Sequence, residues 1–432
     1  MQPRADQPAP RDRASQDALL LSGAQLASGQ DVDVRLHATR IEAVGAPGTL
    51  PPAAERLDLS GYLLLPAPAE PHAHFDTALT ADRIPNPSGD LDGAIQGWLD
   101  YQGTVARDDF VDRATQAALL GLANGTTAIR SHVGIYEPVG IKAVEALLEV
   151  RERLRGLVDL QLVALTVQLT GPECADLRAM LRAAMELGAD VVGGCPHLDP
   201  RPIAYHDLTL SLAAEFGRPI DLHTDETLDP TMLWLPHFAA LVITTGFPHG
   251  ATASHCVSLA MQPSERAAEV AAQVAAAGMA VVCNPQTNLF LQARGQPTAP
   301  VRGLTALRPL LDAGVTVAGG GDNFRDPFNP VSRADPLETA SLLVTAGHLT
   351  PEEAYEAVST GARAAMGLPQ IQVAPGFPAE LLAIQASSLG EAIAGGTSRV
   401  VIHEGRMVSR TTVTREFPDP RAATFTGRPS LP

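Results

Sequence analysis

The sequence is nearly devoid of lysine and poor in cysteine and aromatic residues. Of the 31 basic residues only Lys142 is a lysine, aromatic residues make up 4%, and four cysteines are spread over 432 residues. Cys174, Cys195, Cys256 and Cys283 form no Cys-x-x-Cys pair and lie in or beside apolar runs. This pattern favours reduced core thiols over a zinc knuckle or a disulfide framework.

Positive charge and long apolar runs are also scarce. The net charge of −17 would repel a phosphate backbone or an anionic membrane surface, which argues against nucleic acid and membrane partners. No run approaches the roughly 20 apolar residues of a spanning helix. Residues 1–16 are rich in Pro, Arg, Asp and Gln and have no signal-peptide core, so we expect a disordered tail on a cytoplasmic protein.

What the sequence does contain is 45% hydrophobic residues, enough for one large domain and a small accessory one. Residues 17–66 read as short strands between Gly, Pro and Asp turns. From 67 to 368, strand-length apolar runs alternate with segments of helical periodicity, several of which end in glycine. Residues 369–432 return to strands and a tail, and we expect them to complete a β-sandwich with the N-terminal strands.

Eight strand-then-helix units predict an α/β fold, a (β/α)8 TIM barrel, although the pattern alone leaves an open doubly wound sheet as an alternative. The predicted barrel strands after the first, which precedes His72, are Thr127–Ser131, Asp159–Thr166, Asp190–Gly193, Pro219–Leu222, Thr252–Ser254, Ala280–Cys283 and Val315–Gly319. The predicted helices include Asp108–Ala123, Gly140–Leu154, Ala175–Leu187, His206–Phe216, Pro263–Ala277, Leu304–Ala313, Asp335–Ala346 and Pro351–Met366.

Histidines and acids recur where these strands end. His72 and His74 are two apart, so on a strand both imidazoles point to one side and can bind one metal. His223 ends a later strand and offers a third nitrogen, while Glu226 is placed to shuttle protons beside a metal site. A further strand ends at His255.

The last barrel strand leads into a run of three glycines followed by Asp322. Glycines there would let the backbone approach a site closely. Each motif alone is more often structural than functional, but together they occupy the carboxyl-terminal face of a (β/α)8 barrel, where such barrels do chemistry.

The ordered set Pro-His-x-His, Asp-Leu-His-x-Asp-Glu, Ser-His and Asp-x-x-x-Asp-Pro resembles the cytosine deaminase branch of the amidohydrolase superfamily. The resemblance covers roughly residues 64–368 and implies one divalent metal per chain held by His72, His74, His223 and Asp322. Zinc or iron is expected, with manganese as a third option. Two-metal members carry a carboxylated lysine on the fourth strand, whereas Lys142 lies between the second and third, so one metal is expected.

The resemblance also implies a hydrolytic deamination that releases ammonia from a small cytosine-like heterocycle, with hydroxide attacking the ring carbon. Glu226 would protonate the adjacent ring nitrogen and then help the amine leave. Asp322 would take the proton of the water, and His255 would stabilise the developing oxygen charge.

Substrate contacts are predicted for Gln168, Asn323, His132 and Phe328. Gln168 resembles a glutamine that reads the ring edge, and Asn323 replaces a second aspartate of the cytosine deaminases, which argues against cytosine itself. His132 either contacts substrate or orients a metal ligand. Phe328 either lines the substrate ring or is an ordinary packing residue.

Two other functions stay open at this stage. The run Asp322-Asn323-Phe324-Arg325-Asp326 resembles the N-isopropylammelide amidohydrolases, which would release an alkylamine from a triazine. The second open function is a non-catalytic barrel used as a binding module. Such proteins usually lose their metal-ligand residues first, whereas all of them are present in this sequence. Self-association into a homo-oligomer is neither indicated nor excluded.

Overall fold

The computed structural model describes residues 18–419. The tail predicted at 1–16 lies outside the described residues, as do Asp17 and the end of the segment 369–432. Short strands open the described chain, as expected from their turn-separated apolar pieces. They are β1 (Ala18–Gln25), β2 (Asp31–His37), β3 (Arg40–Gly45), β4 (Glu55–Asp58) and β5 (Leu63–Pro66).

Within the described part of the chain, eight parallel strands follow one another around a barrel in sequence order. They are β6 (Ala69–Ala73), β7 (Ala128–Gly134), β8 (Asp159–Leu165), β9 (Val191–Gly194), β10 (Ile220–Thr224), β11 (Ala251–His255), β12 (Ala280–Cys283) and β13 (Thr316–Gly319). An open doubly wound sheet would reverse its strand order, so the barrel prediction is confirmed.

The first and last strands meet just beyond β13. The Asp322 amide donates to the His72 carbonyl at 2.8 Å, and the His74 amide donates to the Asp322 carbonyl at 3.0 Å. Ala73 and Asp322 form the corresponding parallel bridge. The seam of the barrel therefore coincides with three of the four predicted metal ligands.

Helices pack outside the barrel and bury their apolar faces against it. They are α1 (Leu91–Gln102), α2 (Arg107–Ala123), α3 (Lys142–Arg153), α4 (Ala175–Leu187), α5 (Pro202–Phe216), α6 (Leu235–Thr245), α7 (Ser264–Ala276), α8 (Pro285–Leu291), α9 (Leu307–Asp312), α10 (Pro336–Thr345), α11 (Pro351–Val358), α12 (Thr360–Ala365) and α13 (Leu389–Ala394). The predicted glycine caps are present at Gly188 and Gly217, both left-handed.

One predicted helix is divided. The expected helix Pro351–Met366 is α11 followed by α12, because Ser359 leaves helical geometry at φ −122° and ψ −94°. A Cβ at Gly361 would lie 2.7 Å from the carbonyl oxygen of Val317 in β13. The break thus lets the second segment press its backbone against the last barrel strand.

Both chain ends build a second sheet. The C-terminal strands β14 (Leu381–Ile384), β15 (Arg399–His403) and β16 (Arg406–Thr411) continue the N-terminal ones, because β14 pairs antiparallel with β5. Many apolar residues of this sheet form a core cluster of their own, while Leu63, Leu65 and Ile384 belong to the main core. Among residues 18–419, no helix is both long and apolar enough to cross a bilayer.

Candidate metal centre

Three imidazoles and one carboxylate converge at the carboxyl-terminal end of the barrel. The Nε2 atom of His223, on β10, lies 3.2 Å from His72 Nε2 and 3.1 Å from His74 Nε2. The Oδ1 atom of Asp322 is 3.3 Å from His74 Nε2 and 3.6 Å from His72 Nε2. The strand period places His72 and His74 on one side, and the barrel brings the other two across to them.

This arrangement fits a divalent cation. His223 Nε2 has either one N–H or one lone pair, so it can hydrogen-bond to only one of the two neighbouring imidazole nitrogens. Protonating the rings to add donors would make them repel each other. Oδ2 of Asp322 is buried without a hydrogen-bond partner among the described residues, so protein donors do not satisfy this carboxylate. The 3.1–3.6 Å separations match the about 3.4 Å between ligand atoms on a tetrahedral zinc ion with bonds near 2.1 Å.

The electrostatics of the cluster favour neutral ligands at two positions. Burial, followed by the neighbouring histidines, holds the pKa of His72 and of His223 well below the ordinary value, which leaves their lone pairs free for a metal. Burial alone would also lower the pKa of His74, but contact with Asp322 reverses this and raises it. Contact with Asp322 thus distinguishes His74 from the other two imidazoles.

Glu226 and His255 lie beside the ligand cluster. The Asn288 amide donates to Glu226 Oε1 at 3.3 Å, and His255 Nδ1 is 3.3 Å from the same oxygen. His255 Nε2 lies 3.9 Å from Asp322 Oδ2 and 3.3 Å from the Asn284 amide. Burial, and then the charge of Asp322, raises the pKa of Glu226 well above its ordinary value. Such a carboxyl keeps its proton to higher pH than an ordinary glutamate and can act as a general acid.

The backbone is strained where the strands deliver these side chains. Asp225, His255 and Asp322 all have left-handed φ values, of 51°, 71° and 62°. Non-glycine residues adopt this conformation uncommonly, at a cost of about 1–3 kcal/mol each, and such residues cluster at functional sites. Here the strain turns the chain at the strand ends, so that ligand and acid side chains meet.

At the glycine run the backbone passes close to the site, as expected from the sequence. A Cβ at Gly320 would lie 2.5 Å from Asn284 Oδ1 and 3.0 Å from His72 Cβ. The next amide, that of Gly321, donates to both carboxylate oxygens of Glu70 at 2.9 Å. Glycine at 320 therefore lets the last strand pass directly against the ligand-bearing first strand.

His132 lies against the cluster without joining it. Its ring centroid is 3.9 Å from that of His72, and its side chain is fully buried. Both of its nitrogens have no hydrogen-bond partner within residues 18–419, although Nε2 is 3.8 Å from Asp221 Oδ2. The contact is thus with a predicted metal ligand, the second of the two roles considered for His132.

The remaining predicted substrate residues are distributed around the strand ends. The Asn323 amide donates to Asp326 Oδ2 at 2.8 Å, and its carbonyl accepts from the Thr287 hydroxyl at 3.3 Å. Phe328 is partly buried and packs against the main core. Gln168 is solvent-exposed in the loop after β8. Asn323 therefore has one amide hydrogen left for a ligand.

Three residues with no role predicted from the sequence contact His72 or His255. Ser254 Oγ lies 2.9 Å from His72 Nδ1, and Asn284 and Asn288 approach the two ring nitrogens of His255. A signal was present for each. Ser254 directly precedes His255 in the Ser-His motif, and both asparagines follow the end of a predicted strand, on the face where the ligands lie.

An eight-stranded parallel barrel with a buried histidine and aspartate cluster at its carboxyl-terminal end is the arrangement of metal-binding (β/α)8 enzymes. The model of the amidohydrolase family matches residues 89–409. The chain belongs to the amidohydrolase family, which confirms the resemblance predicted from its motifs, and it is a hydrolase of carbon–nitrogen bonds in heterocycles.

Three relatives illustrate its similarities. The chain is 33% identical over 372 residues to a pterin deaminase of Rhizobium rhizogenes, covering 84% of each protein. It is 28% identical over 340 residues to an N-isopropylammelide isopropyl amidohydrolase of a Pseudomonas species, covering 75% of this chain and 79% of that one. The crystal structure of a 5-methylcytosine deaminase from Klebsiella pneumoniae, liganded with phosphonocytosine, superposes with a TM-score of 0.83 at 26% identity, covering 92% and 100% of the chains.

Proposed function

We propose that this protein hydrolytically deaminates an aminated nitrogen heterocycle of the pterin class and releases ammonia. The observation that carries the proposal is the convergence of four metal-ligand candidates with a buried carboxyl, Glu226, whose pKa is raised. The choice of a pterin is supported by the 33% identity to a pterin deaminase over 84% of the chain. A pterin carries its amine on a ring carbon that is bonded to ring nitrogen, and cytosine shares this N=C–NH2 unit.

In this proposal His72, His74, His223 and Asp322 hold one divalent ion. Three nitrogens and one carboxylate oxygen suit zinc or iron, and manganese less well. When bound, such an ion lowers the pKa of water enough to supply a nucleophile at neutral pH.

The side chains of the protein would then manage the protons. Water adds to the ring carbon bearing the amine while Asp322 accepts its proton. Glu226, whose pKa burial raises, gives its proton to the adjacent ring nitrogen, takes up the hydroxyl proton of the tetrahedral carbon and passes it to the leaving amine. The proton that Asp322 accepted from water then restores Glu226 for the next turnover. His255 stabilises the oxygen charge that develops at the tetrahedral carbon. The bond to the exocyclic nitrogen breaks, and ammonia and the oxo heterocycle leave.

Recognition of the ring is assigned to three of the four residues predicted from the sequence, because His132 packs behind His72. Gln168 and Asn323 would read the polar edge, with Asn323 using the amide hydrogen that Asp326 leaves free. Phe328 would pack against the face of the flat ring. His132 would hold His72 in place through their ring contact.

A second candidate is the release of an alkylamine from an s-triazine. It is favoured by the run from Asp322 to Asp326, which resembles that of the N-isopropylammelide enzymes, and by 28% identity to one of them. The chemistry at the ring carbon would be the same, and only the leaving amine would differ.

The test is a product assay on the metal-loaded protein with metal content measured in parallel. Pterin, 5-methylcytosine, cytosine and N-isopropylammelide are supplied separately, and ammonia and isopropylamine are quantified by chromatography. Ammonia release with the highest kcat/KM on pterin is expected. Isopropylamine release alone would establish the second candidate. No release from any substrate by protein holding one metal per chain would overturn the deaminase proposal and favour a binding module.

A further inference from the structure

A line of buried polar side chains runs from the metal centre into the barrel. His72 Nδ1 lies 2.9 Å from Ser254 Oγ, and the Ser254 hydroxyl donates to Asp221 Oδ1 at 2.9 Å. Arg130 donates from its guanidinium to Asp221 Oδ2 at 2.8 Å. The side chains of Arg130 and Asp221 are 2% and 0% exposed. An apolar barrel interior would avoid the cost of burying these groups, so their presence calls for a function.

We propose that Ser254 is a positioning residue that fixes the tautomer and orientation of His72 for metal binding, backed by the ion pair of Asp221 and Arg130. The inference rests on the proposed role of His72 as a metal ligand. It does not depend on which heterocycle is the substrate.

The direction of each hydrogen bond follows from the donors available. Both oxygens of Asp221 accept, Oδ2 from the guanidinium of Arg130 and Oδ1 from the hydroxyl of Ser254. The single hydrogen of Ser254 is therefore used on Asp221, and Ser254 must accept from His72.

That assignment decides which nitrogen of His72 is free. A neutral imidazole carries one N–H, and Ser254 draws it to Nδ1. The lone pair is then on Nε2, the atom that lies 3.2 Å from His223 Nε2 and 3.6 Å from Asp322 Oδ1. Metal-binding histidines commonly depend on such an outer partner, whose loss costs about 10- to 100-fold in metal affinity.

The far end of the line is anchored to the outer layer of the protein. Arg130 Nε donates to Gln161 Oε1 at 3.0 Å, and Gln161 Nε2 donates to the carbonyl of Met366, just beyond α12, at 3.1 Å. Residues on β7, β8, β10 and β11 thus support a ligand on β6. Because the links from His72 to Arg130 are all buried, His72 has little freedom to rotate.

The experiment compares Ser254→Ala with Thr252→Ala in the full chain. Thr252 is two residues earlier on β11, its side chain points to the same side, and its buried hydroxyl donates to the Ala365 carbonyl at 3.2 Å, away from the site. Zinc affinity is measured by competition with a chromophoric chelator. We expect about 10- to 100-fold weaker binding in Ser254→Ala, affinity within about twofold of the parent in Thr252→Ala, and recovery in Ser254→Thr, which keeps the hydroxyl. Parental affinity in Ser254→Ala would overturn the proposal.

A second measurement needs no altered Ser254. In metal-free protein labelled with ¹⁵N-histidine, the His72 signals are identified by their loss in His72→Gln, and their shifts report which nitrogen carries the proton. We expect the Nδ1–H form in the parent protein, and an Nε2–H form there would defeat the inference. Failure of the deaminase proposal is distinguishable, because it would leave zinc affinity dependent on Ser254 while no heterocycle is deaminated.

Discussion

Replacing Glu226 with glutamine separates the chemistry of the site from its metal. The Oε1 atom of Glu226 contacts Asn288 and His255, each at 3.3 Å, and the side chain is buried. An amide of the same shape can still accept from Asn288 through its oxygen. It has no proton to transfer, so only the acid–base role is removed.

The expected magnitude follows from the number of transfers. A positioned acid or base contributes about 100- to 10,000-fold, equivalent to about 2.7–5.4 kcal/mol of transition-state stabilisation. Glu226 is assigned two proton transfers, to the ring nitrogen and to the leaving amine. We therefore expect kcat to decrease by a factor in the upper half of that range. Glu226 is not among the four assigned ligands, so metal content should remain that of the parent.

The assay is steady-state ammonia release with kcat and KM determined separately, and metal content measured on the same samples. Glu186→Gln is the matched control, because Glu186 is an exposed glutamate on the outer helix α4. It should retain full activity. Turnover of Glu226→Gln within tenfold of the parent, at equal metal content, would refute the assignment of Glu226 as the proton shuttle.

Three further predictions address the metal, the specificity and the response to acid. Dialysis against a strong chelator should abolish turnover and lower Tm, with both recovering on addition of one equivalent of zinc, because binding energy adds to folding energy; activity that survives verified removal would contradict a metal enzyme. Asn323→Asp should raise the kcat/KM for cytosine relative to pterin and lower Tm at pH 8, where the new carboxylate faces Asp326 in place of the present 2.8 Å hydrogen bond; an unchanged substrate ranking would count against Asn323 as a specificity residue. Burial lowers the pKa of His206 to about 3, so the unfolded chain takes up this proton first and stability falls by up to about 1.4 kcal/mol per pH unit below pH 6.5. The Tm of the metal-free protein should therefore fall more steeply between pH 6 and 4 than the Tm of His206→Phe. Above pH 7 the two plots of Tm against pH should run parallel; equal slopes at every pH would contradict this.

Sequence patterns located the barrel elements whose periodicity is set locally. The predicted strand Ala280–Cys283 and the predicted helix Ala175–Leu187 coincide with β12 and α4. The helix α6 (Leu235–Thr245) was not predicted, because its sequence is apolar around most of its circumference and ends in β-branched residues. Its packing against α7 compensates for that weak local preference.

The same distinction applies to the site. His72 and His74 could be paired from their spacing alone, because the strand period fixes which way both point. The bond between Ser254 and Asp221 joins residues 33 apart, and that between Arg130 and Asp221 joins residues 91 apart. Such contacts depend on the register of neighbouring barrel strands, which no local pattern in the sequence specifies.

The sheet shared by both chain ends has a consequence for biosynthesis. β5 is made early, yet its partner β14 is separated from it by roughly 300 residues. At about 5–20 residues per second, the ribosome needs on the order of 15–60 s to deliver that partner. Throughout this interval the Leu-Leu-Leu edge of β5 is open to wrong pairing, so a nascent chain truncated before Leu381 should aggregate or need a chaperone.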